Sequence, residues 1–230
     1  MSEIESELEQ EMKKRWFGFA LRLESFWTPE EYSIVGYVHE AWHELKHSYA
    51  EPHRAYHTLV HVRSCLDMLD DIRHHCIDPV AVEGALWFHD VIYTEPRPDD
   101  YDSENEERSA YAAKRRFTEF GCDDLTICRI RDLILNTGGV YPQFSDPDAI
   151  LVRDIDWSIL GSAPEAFAAY DTAIRHEYQR VPEKRYRFER GEFCRVLLES
   201  KHIFQTPYFR ARFEAQARKN LAGLMKKLGN

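Results

Sequence analysis

Long apolar runs are missing from this 230-residue sequence, and no stretch is long enough to cross a bilayer as a helix. The first residues, MSEIESELEQEMKKRW, are charged and lack the apolar centre of a signal peptide, so a cytoplasmic location without a membrane partner is expected. Glycine and proline are scarce, 10 of each, and nowhere concentrated into a flexible linker, so no domain boundary is expected. Cysteine is limited to Cys65, Cys76, Cys122, Cys128 and Cys194, an odd number with no CxxC pair, which predicts free thiols rather than a disulfide framework. Positive charge is in deficit: 30 Lys and Arg stand against 40 Asp and Glu, a net charge of −10. That balance repels a polyanion, so no nucleic-acid polymer is expected as a partner. A small phosphate compound remains compatible if a cation supplies the positive charge locally.

What the sequence does contain is helix punctuation. Asp78-Pro79, Asp146-Pro147, Ala163-Pro164 and Thr206-Pro207 place proline where the first turn tolerates it, most of them behind a capping side chain. Thr28-Pro29-Glu30-Glu31 reads as a cap opening a helix towards Ser48, and Ser103 with Glu106 reads as a capping box. Gly121 and Gly161 suit left-handed caps closing the helices that precede them. Strand signals are nearly absent. The reading is all-α, a single-domain bundle of about ten helices. Glu95–Asp102 and Gly138–Asp148 are the expected exposed loops.

Four residues stand out on faces that should be apolar. After Tyr56, Val62, Leu66, Leu69 and Ile72 recur at helical spacing, and His57 and His61 sit at the edge of that stripe. Val82, Ala85 and Leu86 lead to His89 and Asp90. In ILVRDIDWSILG, Asp156 shares a face with Val152, Ile159 and Leu160, whereas Asp154 lies nearer Ile150 and Leu151. Burying an unpartnered carboxylate or imidazole costs several kcal/mol, so these side chains need hydrogen bonds, mutual pairing or a shared cation. Two imidazoles with two carboxylates suit one divalent first-row ion, Mn²⁺, Fe²⁺, Co²⁺, Ni²⁺ or Zn²⁺, with Mg²⁺ admissible, better than Ca²⁺. Against this, a single histidine on an apolar face is more often a hydrogen-bonded core residue, and an adjacent His-Asp pair is common by chance.

The fragments HRAYHTLVHV, ALWFHDVIY, ENEERSA and RDIDWSILG, in that order, resemble the HD superfamily of metal-dependent phosphohydrolases. More narrowly, the chain is similar to predicted HD phosphohydrolases of about this length, the similarity reaching IRHEY, ERGEF and EAQARKNL and so running from roughly Trp16 to Leu224. The resemblance implies one HD-type domain over 1–230. Its metal-site core covers about 50–161, with C-terminal helices over 164–228 packed on it. It assigns His61, His89, Asp90 and Asp156 as metal ligands, and His57, in the context YHT, as a general acid. One departure is visible: many relatives carry histidine just after the threonine of the segment that here reads LILNTGGVYP, where this chain has Gly138 and Gly139. Their absence favours one metal ion over two and raises a rival reading, a catalytically weak or inactive nucleotide-binding or regulatory protein.

The chemistry so implied is hydrolysis of a phosphoester or phosphoanhydride in a small, nucleotide-like substrate by metal-activated water. Asp90 would orient that water, His57 would protonate the departing oxygen, and Glu106 would serve as base or support, or else cap its helix with Ser103. Arg54 would grip a phosphate or, equally, fix the helix start by an ion pair. Arg175, Glu177, Tyr178 and Arg190 would complete the substrate pocket, although surface ion pairs explain them as well. The run Lys114-Arg115-Arg116 reads as a solvated helix face, and Trp87 and Phe88 as core. A homodimer is left open.

Overall fold

The computed structural model describes residues 3–23, 34–96, 104–139 and 146–229. Every regular element among them is helical: α1 (Glu3–Arg22), α2 (Ile34–Ser48), α3 (Leu59–Ile72), α4 (Pro79–Phe88), α5 (Asn105–Glu119), α6 (Asp124–Leu135), α7 (Pro147–Asp156), α8 (Pro164–Glu177) and α9 (Glu183–Glu199), then α10 (Pro207–Phe209), which continues through a π-helical turn (Arg210–Glu214) into α11 (Ala215–Leu228). Counting that last continuous stretch once gives ten helices among the described residues, and no strand is present among them. No helix among these residues is long and apolar enough to cross a membrane.

The proline-marked starts fall where the sequence places them. The carboxylate of Asp78 accepts from Ala81 N at 2.9 Å, Asp146 accepts from the amides of Asp148 and Ala149, and Thr206 Oγ1 accepts from Phe209 N, each satisfying a first-turn donor that the helix itself leaves unpaired. Gly121 takes the left-handed conformation, φ 71°, and Cys122 N closes back on Phe117 O, which ends α5. Gly161 departs from expectation. Its φ is not left-handed, and α7 ends earlier, at Asp156, giving way to a 3-10 turn over Trp157–Gly161. Glycine is needed there for a different reason: a Cβ would lie 2.5 Å from Phe213 Cβ and 2.6 Å from its carbonyl oxygen.

Other readings are also corrected. Thr58 is the N-cap of α3, its side chain accepting from Val60 N, so His57 lies just outside the helix rather than on its edge. The N-cap of α5 is Glu104, in a left-handed conformation at φ 46°, and its side chain makes no cap bond; the capping box of Glu106 with Ser103 lies outside the described residues. Arg116 is buried against Glu44 and Glu119, and only Lys114 and Arg115 form an exposed basic face. Asp148 is fully buried inside α7 rather than in a loop. Thr28–Glu31, Ser103, most of Glu95–Asp102 and residues 140–145 lie outside the described residues.

Helix α4 is the axis of the molecule. All of Ala81–Phe88 is buried, which fits a helix that is apolar all round and so surrounded by others. Trp16 of α1 meets Trp87 edge-on at 5.4 Å and Phe88 at 6.0 Å, and Phe88 meets Phe117 of α5 at 5.5 Å. Buried carboxylates tie helix ends together. Asp148 accepts from the amides of Ile77 and Asp78 and from Arg129, joining the starts of α4 and α7 to α6. Asp154 accepts from Gln205 N, Thr206 N and Thr206 Oγ1, so α7 also holds the start of α10. The C-terminal end of α4 and that of α7 are thereby fixed beside the buried face of α3.

Candidate metal centre

His89 is the C-cap of α4 and Asp90 follows it, His61 stands on the buried stripe of α3 with Val62, Cys65 and Leu66, and Asp156 ends α7. These three places meet. His61 Nε2 lies 3.1 Å from His89 Nε2, 3.1 Å from Asp156 Oδ1 and 3.5 Å from Asp90 Oδ2; His89 Nε2 lies 3.1 Å from Asp90 Oδ2 and 3.7 Å from Asp156 Oδ1. Ligands held at ~2.0–2.2 Å around one ion are separated by ~3.0 Å in adjacent octahedral positions and ~3.4 Å in a tetrahedron. Three of the five spacings, at 3.1 Å, fall in that range and the other two, 3.5 and 3.7 Å, lie just above it, so the donor set could close on a single divalent cation with small adjustments. His89 Nδ1 faces Leu86 O at 3.0 Å, a bond that puts the proton on Nδ1 and leaves the Nε2 lone pair for the centre.

The electrostatics of His89, Asp90 and Asp156 agree with this. Burial opposes charging His89, but the adjoining Asp90 and Asp156 carboxylates win, and its pKa is raised well above 6.5. Asp90 and Asp156 move the other way: burial is outweighed by the imidazoles beside them, His89 foremost for Asp90 and His61 and His89 for Asp156, and both are held well below the usual carboxylate range. Such a cluster keeps protons in place of a cation and gives them up when one binds.

Cys65 was not singled out from the sequence. One turn beyond His61, its Sγ lies 3.7 Å from His61 Nε2 and 3.8 Å from Nδ1. His61, Cys65, His89 and Asp156 have ligand atoms within 4.8 Å of one another and could hold a metal ion. The His61-x₃-Cys65 spacing on one apolar stripe was the available signal. Burial pushes the Cys65 thiol well up, so it is a poorer donor than the carboxylate of Asp90.

His57 stands one turn before His61 and is gripped from α8. Its Nδ1 lies 2.6 Å from Glu177 Oε2, while Glu177 Oε1 accepts from the amides of Ala55, Tyr56 and His57 at 2.7, 2.7 and 3.0 Å. The ring stacks on Tyr93 at 4.2 Å and meets Tyr56 edge-on at 5.0 Å. Burial lowers the His57 pKa, but Asp90 and the Glu177 bond overcome it and the net direction is upward. Glu177, fully buried, is itself brought down to about 2: burial raises it, and the His57 bond prevails. The sequence grouped Glu177 with the substrate pocket, whereas its structural place is behind His57.

Arg54 is buried and spent on the protein. Its guanidinium donates to Glu51 Oε2 (2.9 Å), His57 O (3.1 Å), Asp90 O (2.6 Å) and Val91 O (3.0 Å), so it braces His57 against Asp90 and has no edge turned to a substrate. Arg175 donates to Tyr178 O at 2.6 Å, pairs with Glu183 and covers the Tyr186 ring, away from the donors. Tyr178 and Arg190 do reach the site. They line a cavity of about 360 Å³ together with His57, Asp90, Glu106, Asp156 and the aromatic side chains Tyr56, Tyr93, Trp157, Tyr170, Tyr186 and Phe193. The volume is at the small end of ligand sites. Glu106 projects into this cavity against Gly138, whose added Cβ would meet Glu106 Cδ at 3.1 Å. Glycine at 138 therefore makes room for the Glu106 carboxyl, whose pKa is raised by burial and by Asp90 and Asp156.

No family model matches this chain, and neither a curated protein nor a solved structure similar to it was found.

Proposed function

We propose that the chain is a metal-dependent phosphohydrolase with an HD-type fold, acting on a phosphoester or phosphoanhydride of a small, nucleotide-like compound. The observation that carries the reading is the convergence of His61, His89, Asp90 and Asp156 at 3.1–3.7 Å, with Asp90 and Asp156 lining a cavity that the anchored imidazole of His57 also lines. A divalent cation bound there would lower the pKa of water towards neutrality and polarise a phosphoryl oxygen. His57 supplies a proton to the departing oxygen: Glu177 holds Nδ1, so Nε2 is the nitrogen left to act, and the carboxylates of Asp90 and Glu177 shift its pKa upward, in favour of the protonated ring. Glu106, with its raised pKa and open side, accepts a proton from the attacking water or positions it. Arg54 acts indirectly, by fixing the His57 and Asp90 backbones.

The test is a screen of protein loaded in turn with Mn²⁺, Fe²⁺, Co²⁺, Ni²⁺, Zn²⁺ and Mg²⁺ against phosphomonoesters, phosphodiesters, nucleotides and pyrophosphate. Turnover should fall by about a hundred-fold or more in His57→Ala while the metal content is kept. Asp90→Ala should lose the metal itself, read by elemental analysis. Saturable nucleotide binding without turnover on any metal would replace the hydrolase by a regulatory binding protein. A metal centre indifferent to His57→Ala in every assay would reduce it to a staple between helices.

A further inference from the structure

The wall of the cavity away from the metal donors holds a cation with unused bonds. The side chain of Arg190, on α9, is only 9% exposed, and its Nε and Nη2 make no hydrogen bond. The nearest carboxylate oxygen to Nε, Asp171 Oδ1, is 3.8 Å away, too far to accept, and Asp171 Oδ2 is taken by Lys227 at 3.0 Å. Glu189 also lines the cavity, but its Oε1 is occupied by Arg185 at 2.9 Å. The rings of Tyr170 and Phe193 pack against the guanidinium, 5.1 and 5.0 Å from its central carbon, and the Tyr170 side chain is also a polar neighbour, which limits its motion while Nε and Nη2 stay without a partner. That edge, Nε with Nη2, is the one that grips two oxygens of a carboxylate or phosphate side by side. The Tyr186 hydroxyl, also on α9 and on the cavity wall, is buried without a partner too.

Leaving several donors unpaired in a buried place is costly unless something else pairs them. An aromatic path joins this corner to the metal centre: the ring of His61 is 4.7 Å from Tyr56, Tyr56 is 4.7 Å from Tyr170, and Tyr170 covers Arg190. We infer that Arg190, with the Tyr186 hydroxyl, is an oxyanion subsite of the same cavity, so that the substrate is a small phosphate ester carrying a second acidic group, a carboxylate or another phosphate, across a flat or apolar spacer. The inference rests on the hydrolase reading for the first phosphate and adds the second charge to it.

Phenyl phosphate, 4-carboxyphenyl phosphate and 1,4-phenylene bisphosphate differ only at the end remote from the scissile bond and serve as probes. For the metal-loaded wild type, both charged probes should exceed phenyl phosphate in kcat/KM, and in affinity by calorimetry, on the order of ten- to a hundred-fold. Whichever of the two gains more identifies the natural group as carboxylate or phosphate. In Arg190→Met the preference should collapse to about threefold or less, and Arg190→Lys should recover part of it. Tyr186→Phe, which removes one oxygen atom, should lower the preference severalfold and covers the case in which Arg190→Met fails to fold. A wild type that treats the three probes alike, or a preference that survives Arg190→Met, overturns the subsite. Calorimetric preference without turnover keeps the subsite and removes the hydrolase; turnover of phenyl phosphate without preference does the reverse. No binding of any probe overturns both.

Discussion

At the scale of single residues, the pairing of His57 with Glu177 sets how the centre should respond to pH. The imidazole pKa is raised in the folded chain, so its contribution to stability is complete below about 6.5 and is lost as pH rises through the higher folded value. The carboxyl of Glu177 is brought down to about 2, so its contribution is present above about 4.5 and is lost as pH falls towards 2. The pair therefore stabilises most between those limits. Glu177→Gln keeps the size of the side chain and removes the charge, and it should move the alkaline limb of kcat/KM to lower pH while leaving the metal content unchanged. An unmoved limb would mean that another group supplies the proton.

At the scale of elements, the sequence was most informative where one local rule decides. Asp78-Pro79 and Asp146-Pro147 start helices because proline gives up nothing at the first turn and aspartate satisfies the amides behind it, a matter settled within four residues. The clustering of His61, His89 and Asp156, which could hold a metal ion, was legible for a similar reason, since they interrupt apolar stripes whose period is set by the helix itself. What escaped depends on partners far along the chain. Glu177 lies 120 residues from His57, and no periodicity tells which of 40 acidic side chains will stand behind an imidazole. Gly161 was readable as a helix end and not as a crossing point, because Phe213 is what forbids a side chain there. Gly161→Ala should push the π-helical turn off the 3-10 turn over Trp157–Gly161 and cost about 1–3 kcal/mol or more, seen as a lower urea midpoint at unchanged slope. A midpoint equal to wild type would show that the last helix shifts freely.

At the scale of the whole molecule, the candidate metal donors come from α3, the C-terminal end of α4 and α7, and the cavity is completed by α8 and α9, so a cation bound there would link ligand binding to folding. A cation at a hundred-fold excess over its dissociation constant adds about 2.7 kcal/mol to stability. For a chain of this size, chelation should then lower Tm by about 5–10 °C, with recovery when the cation is returned. Equal melting with and without chelator would place the donors in mutual ion pairs only.

The position of Trp157 has a practical outcome. Three of the five tryptophans, Trp16, Trp42 and Trp87, are sealed in the core, whereas Trp157 is half-buried on the cavity wall with the Arg153 guanidinium 4.0 Å above its indole. The protein thus carries its own optical reporter: occupancy should alter indole emission, and Trp157→Phe should silence the signal. Compounds can then be sorted by fluorescence titration without a turnover assay.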